Sequence, residues 1–406
     1  MTIIVLIILA GISISLVIGN NGIMQKAVKG RTDYAGAAIN EQLDLNKIED
    51  YIDNNTNGGS GGSEKDIASV KGGNYFQTPT TVKDTNGNLI KVPKGFKIAA
   101  DSGLNVTEGI VIEDNDIIEG IGNNRGNQYV WVPVGNGIKK SDGTTVNITL
   151  GRYSFANGTS DKDTKGNVLA KGTPILKQDA VNYTQEVTIE SYTGTYHKEL
   201  ATSRVGAVDS SNRLNDTNTT ALNLKGFVDS VKVNGGYYIA RYEASYGADG
   251  KANSKVSNFY SSSYNDKITR EGQLWNNVTQ INAATASRNL YNTVNSDLIN
   301  SYAWNTAIVY IQNFSGDTDY SKQPSLNEDV ANTGTNSDEK CKINDMAVNT
   351  REWTTEYGTL TIAGSAYPCA YRGGSYGSTS PYTDNRGSGS ATLSDPDLSF
   401  RCALYM

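Results

Sequence analysis

The chain has 406 residues, enough for a sizeable core and for two or three structural units. Its 36 basic and 42 acidic residues leave a formal charge of −6, which excludes the basic footprint of a nucleic-acid-binding protein. A single histidine, His197, excludes sites built from several imidazoles, and the three cysteines allow one disulfide with a thiol left over. Abundant Gly (42) and Tyr (24), with only 19% charged residues, suit a loop-rich β or α+β domain working outside the cell.

In chain order, the first predicted element is apolar. Ile3 to Ile18 reads IIVLIILAGISISLVI, with no charge before Lys26. As a helix this run is about 24 Å long, slightly short of the ~30 Å hydrocarbon core of a bilayer. A secretory signal peptide is the alternative, but no Lys or Arg precedes the run and no A-x-A-like cleavage site follows it. Further on, Ile39, Leu43, Ile48 and Ile52 share a stripe at helical spacing, with Glu41, Asp44, Lys47 and Glu49 outside it. Residues 1–53 therefore read as a hydrophobic then amphipathic helix. Residues 54–63, NNTNGGSGGS, are a polar spacer and the domain boundary.

From Glu64 onward, short β-like runs alternate with turns. Residues 91–99, 109–114, 128–134 and 235–245 are the clearest strands, with β-branched and aromatic residues at alternate positions. DTNGN at 84–88 is a hairpin turn. Residues 275–294 and 301–314 have the 3–4 apolar spacing of helices, while 135–234 and 315–340 are polar and read as insertions or surface loops.

Two resemblances extend this reading. TIIVLIILAGISISLVIGNNGIMQKA resembles the N-terminal segment of type IV pilins and pseudopilins. In that family a basic leader and a Gly cleavage point precede the helix; this chain begins at Met1 inside the pattern, as expected of a misplaced start codon or a trimmed sequence. The second resemblance rests on WVPV (131–134), YYIARYEAS (237–245), NDMAVNTREW (344–353), CAYRGGSYG (369–377) and LSFRCALYM (398–406). In this order they resemble the formylglycine-generating enzyme (sulfatase-modifying factor) family, which implies a C-type-lectin-like fold for residues 64–406. Val348 and Ser399 stand where that family has Gly, which puts the local backbone geometry in question. The fold class expected is thus α+β: a long N-terminal hydrophobic helix followed by an irregular lectin-like domain with long loops.

The enzymes of that family hold copper with two cysteines soon after R-G-G-S, and related sulfoxide synthases use several His. After Arg372-Gly373-Gly374-Ser375 this chain reads YGSTSPYTDNRGSGSATLSD without a cysteine, so neither copper nor iron is expected and the domain reads as non-catalytic. Family members also hold calcium near the G-N-x-x-E-W turn. Carried over, the ligands would be the side chains of Asp345 and Glu352 and the carbonyls of Val348 and Thr350. The alternative gives Glu352 a structural role as buried partner of Arg372 or Arg401. For the cysteines the resemblance favours a Cys369–Cys402 disulfide, with Cys341–Cys402 as competitor.

Tyr376, Ser378, Thr379, Tyr382, Asp384, Asn385, Arg386 and Asp397 give the stretch after R-G-G-S the composition of a recognition surface, the alternative being an ordinary hydrophilic loop. The stretch also resembles variable proteins diversified by retroelements, whose changing residues lie between R-G-G-S and the terminal F-R element. The expectation is a cell-surface protein, attached to a membrane or pilus filament by its N-terminal helix and presenting a head to an extracellular glycan or protein. An oxidase of the formylglycine-generating type, a diversified binding protein and a plain single-pass membrane protein are the alternatives.

Overall fold

The computed structural model describes residues 64–116, 126–159, 161–177, 187–188, 196–198, 224–257, 271–325, 329–335, 338–358, 361–362, 365–366, 369–376 and 382–406. All belong to one compact unit, Glu64–Met406. Its principal elements are β1 (Lys97–Ile98), β2 (Val111–Glu113), β3 (Gln128–Pro133), β4 (Val187–Thr188), β5 (Tyr196–Lys198), α1 (Leu224–Asn234), β6 (Gly236–Ala240), α2 (Gln280–Ser287), β7 (Asn295–Leu298), α3 (Ser301–Phe314), β8 (Arg351–Gly358), β9 (Cys369–Arg372), β10 (Arg386–Gly389), β11 (Leu398–Phe400) and β12 (Cys402–Tyr405).

These strands form two six-stranded sheets. The first has the order β7-β12-β6-β3-β2-β1 and is antiparallel throughout. The second runs β4-β5-β8-β9-β10, with β11 pairing β8 in parallel. Every residue of β3, QYVWVP, and of β6, GYYIA, is buried, because both strands are interior to the sheet and covered on both faces. Their register sets Tyr238 opposite Trp131, whose rings meet edge to face at 5.0 Å.

Helix α3 is the internal strut. All of its residues but Asn313 are buried, and it packs against β3, β6 and β8, so it touches both sheets. The Asn300 side chain caps its first turn by accepting the Ala303 amide. A helix apolar all round belongs in a core, and its few polar groups are satisfied there: Gln312 donates to the Gly172 carbonyl at 2.7 Å, and Ser301 donates to Glu356. Helix α1 covers β6 and β12 with Leu224, Phe227, Val228 and Val231, an i, i+3, i+4, i+7 stripe.

Two expectations are corrected here. The described residues are mostly β with few helices, not α+β, and no helix among them is long and apolar enough to cross a membrane. The long N-terminal hydrophobic helix is therefore not among the observed elements; residues 1–63 lie outside the described set. The helix expected over 275–294 is only Gln280–Ser287, since Arg288 turns extended and Asn289 enters the left-handed region at φ +53°. The segment 135–234, read as an insertion, supplies a hairpin of Gly135–Lys139 with Thr145–Ile148, the pair Arg152–Phe155 and Pro174–Lys177, and α1.

Candidate recognition site

The E-W and F-R motifs build a buried charged centre where the sheets meet. Glu352 on β8 lies opposite Arg372 of β9 and beside Ser399 of β11, and all three side chains are buried. Its charge partner is Arg401, between β11 and β12. Arg401 Nε donates to Glu352 Oε2 at 2.6 Å and Nη2 donates to Oε1, a bidentate pair. The same guanidinium donates to the carbonyls of Ala240 in the first sheet (3.1 Å) and of Asn344 (2.9 Å). Burial raises the Glu352 pKa against the pull of Arg401. Burial opposes the Arg401 charge as well, but Glu352, then Glu243 and Asp345, outweigh it and hold Arg401 above its ordinary value.

Glu243 is the third member of this centre. It accepts the Thr350 amide at 3.0 Å, the Thr350 hydroxyl and the Asn349 side-chain amide. Burial first, then the charges of Asp345 and Glu352, raise its pKa well above the ordinary range. Neither departure from the family glycines disturbs the backbone. The left-handed residues are Asp345 (φ +62°) and Asn349 (φ +67°), types that tolerate that region, and not Val348. Ser399 places its hydroxyl 2.5 Å from Thr350 Oγ1, and since the Thr350 proton goes to Glu243, Ser399 is the donor of that pair.

Of the expected calcium donors, both carboxylates already have protein partners. Both oxygens of Glu352 are committed to Arg401, and Asp345 Oδ2 accepts the Gly334 amide at 2.6 Å and the Thr333 hydroxyl at 3.2 Å. Among the described residues no group of three or more His, Cys, Asp or Glu is arranged to hold a metal. The structural alternative for Glu352 is the one observed, with Arg401 as its partner; Arg372 instead donates to Asn305 Oδ1 at 2.5 Å.

The expected Cys369–Cys402 disulfide is not formed either. All three cysteines are buried thiols; Cys369 lies on β9 in the second sheet and Cys402 on β12 in the first. Burial pushes the Cys341 and Cys402 thiols up to about 12.

The R-G-G-S turn leads into the stretch expected to contact a ligand. Gly373 is left-handed at φ +81°, and a Cβ on Gly374 would sit 2.3 Å from the Ala347 carbonyl, so the turn is pressed onto residues 346–347. Ser325 Oγ then donates to the Ser375 carbonyl at 2.5 Å, and the Tyr376 amide donates to the Asn349 carbonyl at 2.8 Å. Ser378 and Thr379 lie outside the described residues. Tyr382 is 43% exposed, bridged to Pro324 and with Lys322 Nζ 6.0 Å from its ring centre.

The other expected contact residues face inward or along the surface. Asp384 pairs with Lys322, Arg386 pairs with Glu356 at 3.1 Å, and Asn385 donates to the Gly373 carbonyl at 3.3 Å. Asp397 pairs with Arg351 at 3.0 Å, and its carboxyl is pushed up to about 6, chiefly by burial. Arg351 in turn lies 5.3 Å from the Tyr371 ring, which crosses Gly387 of β10. Tyr371 and Lys322 escaped the sequence reading. Period-two alternation with Ala370 and Arg372 could have placed Tyr371 outward; Lys322 carries no such signal.

No family model and no curated protein matches the chain, so neither resemblance drawn from its motifs gains support from them. Similar solved structures include Treponema denticola variable protein 1, at 13% identity and TM-score 0.24, covering 69% of this chain and 96% of that one. The Major Tropism Determinant M1 variant is 12% identical with TM-score 0.28, over 84% of this chain and 98% of that one. CarF is 15% identical with TM-score 0.22 over 28% of this chain, which spans about half (49%) of CarF. Likeness this distant carries no argument about what the chain binds.

Proposed function

We propose that residues 64–406 form a non-catalytic recognition domain that works outside the cell, with its ligand surface around Tyr382 and extending to Tyr376 and Tyr371. The observation that carries this reading is Tyr382: it is the one aromatic among the side chains whose burial is described that is left more than a third exposed, its backbone bridged to Pro324 and its ring 6.0 Å from Lys322 Nζ. A fixed aromatic at the surface offers a large contact area at little entropic cost, which is how binding hot spots are built. The non-catalytic part rests on the centre beneath. Its carboxylates are engaged by Arg401, Thr350 and Asn349, and the Cys341 and Cys402 thiols, pushed up to about 12, are not thiolate nucleophiles or soft-metal ligands at neutral pH.

The test is a screen of the purified full chain against a glycan array and a panel of extracellular proteins, repeated with Tyr382→Ala. A ligand of the native chain should bind the variant at least about tenfold more weakly, as for loss of one aromatic hot spot, with an unchanged melting temperature. Ligands bound equally by Tyr382→Ala and Tyr376→Ala would remove this surface from consideration.

A further inference from the structure

A second cluster of charge lies at the base of the recognition stretch, and its accounting is incomplete. Arg152 Nη2 reaches Glu356 Oε1 at 2.8 Å, Arg386 Nε reaches the same carboxylate at 3.1 Å, and Ser301 donates to its Oε2. Asp384 offers its carboxylate to Lys322. Arg372 stands among these groups, 1% exposed, without a carboxylate in hydrogen-bond reach. It has only the Asn305 Oδ1 at 2.5 Å and, at 3.5 Å, the Asp384 backbone carbonyl. Its Nε and the Nδ2 of fully buried Asn305 are both donors with no acceptor.

We infer that Arg372 Nε and Asn305 Nδ2 hold a small monovalent anion of halide size, chloride in the native setting. Three physical arguments meet here. A buried guanidinium with no carboxylate in direct contact is poorly solvated by the protein, so an anion is bound more readily than the charge is left bare. Two unsatisfied donors on side chains already in contact define a position lacking an acceptor, and buried polar groups are rarely left so. Both side chains are almost wholly removed from solvent, which favours a desolvated halide over a phosphate or a peptide carboxylate. Burial first and then Arg386 depress Arg372 to about 9, and Glu356 and Asp384, which act on it only through space, do not make up the difference.

The experiment uses the full chain in sodium chloride and in sodium gluconate at equal ionic strength. The melting temperature should rise with chloride or bromide and saturate, as for one-site linkage, and should not do so with gluconate. Asn305→Asp places a carboxylate beside Arg372; it should raise the melting temperature in gluconate and abolish the halide response. Crystals of the native chain grown in bromide should show an anomalous peak within hydrogen-bond distance of Arg372 Nε. Equal melting curves in the two salts, or an ordered water at that position in bromide crystals, would overturn the assignment, and the crystal readout stands even where the variant does not fold.

Discussion

Arg401 and Glu352 show at the residue scale how one motif supports two readings, a cation site and a buried ion pair, of which the pair is observed. A carboxylate beside a tight turn suggests a hard cation, yet the charge it meets is the guanidinium of Arg401, between the last two strands, which the sequence offered only as one of two candidate partners. Arg401→Met should therefore cost about 3–5 kcal/mol in denaturant unfolding, since it leaves Glu352 buried and unpaired. The Glu352→Met/Arg401→Met double variant should recover a large part of that loss. Millimolar calcium should leave the melting temperature of the native chain unchanged; a rise abolished by Glu352→Ala would restore the calcium reading. Asp397 gives the pH dependence at this scale. Its folded pKa of about 6 lies above the unfolded value of about 3.9, so the folded state binds the extra proton between them. The stability it contributes is complete below about pH 4 and is lost as pH rises through about 6. Unfolding measured across that window should lose this fall in Asp397→Asn.

Short local rules carried well at the scale of elements, and long-range ones did not. The turn at 84–88 was legible because its chemistry is contained in five residues. Asp84 Oδ1 accepts the Asn86 and Asn88 amides, Oδ2 accepts the Asn88 side chain, and Gly87 takes φ +88°, joining Thr80–Lys83 to Leu89–Val92. Residues 163–167, DTKGN, repeat this arrangement group for group around Asp163 and Gly166, a recurrence the sequence reading passed over. Asp84→Ala should destabilise by about 1–3 kcal/mol, because several amides lose their acceptor at a buried carboxylate. The same change at the less buried Asp163 should cost less, and parallel melting curves would check the contrast. Strands at 109–114, 128–134 and 235–245 followed from alternation, whereas 91–99 splits at Pro93, which cannot donate to a ladder. The 301–314 helix was read to its boundaries, since its pattern and its Asn300 cap agree; in 275–294 the Thr279 cap starts the helix late and extended Arg288 with left-handed Asn289 ends it, so only eight residues became helix.

For the whole molecule, sequence order conceals which strands are neighbours. Nothing local announces that Cys402–Tyr405 inserts between Asn295–Leu298 and Gly236–Ala240, or that Arg401 then ties the second sheet to the Ala240 carbonyl of the first. The same distance hid the cluster in which Lys322, Pro324 and Tyr382 meet across stretches of chain that read as unrelated loops. The glycines were visible but their necessity was not. Gly374→Ala should destabilise by about 1–3 kcal/mol through the clash with the Ala347 carbonyl, and should weaken ligand binding by displacing Tyr376.

The placement of β12 has a consequence for how the protein is made. Until the ribosome has passed Cys402, the buried strand Gly236–Ala240 lacks one of its two partners and Asn295–Leu298 has none in the sheet. The apolar faces built much earlier in synthesis thus wait with open hydrogen-bonding edges, the state most prone to pairing with another chain. Nascent chains arrested before Cys402 should be captured by a holding chaperone and cut by protease, while released chains that include Cys402–Tyr405 should become resistant together across both sheets.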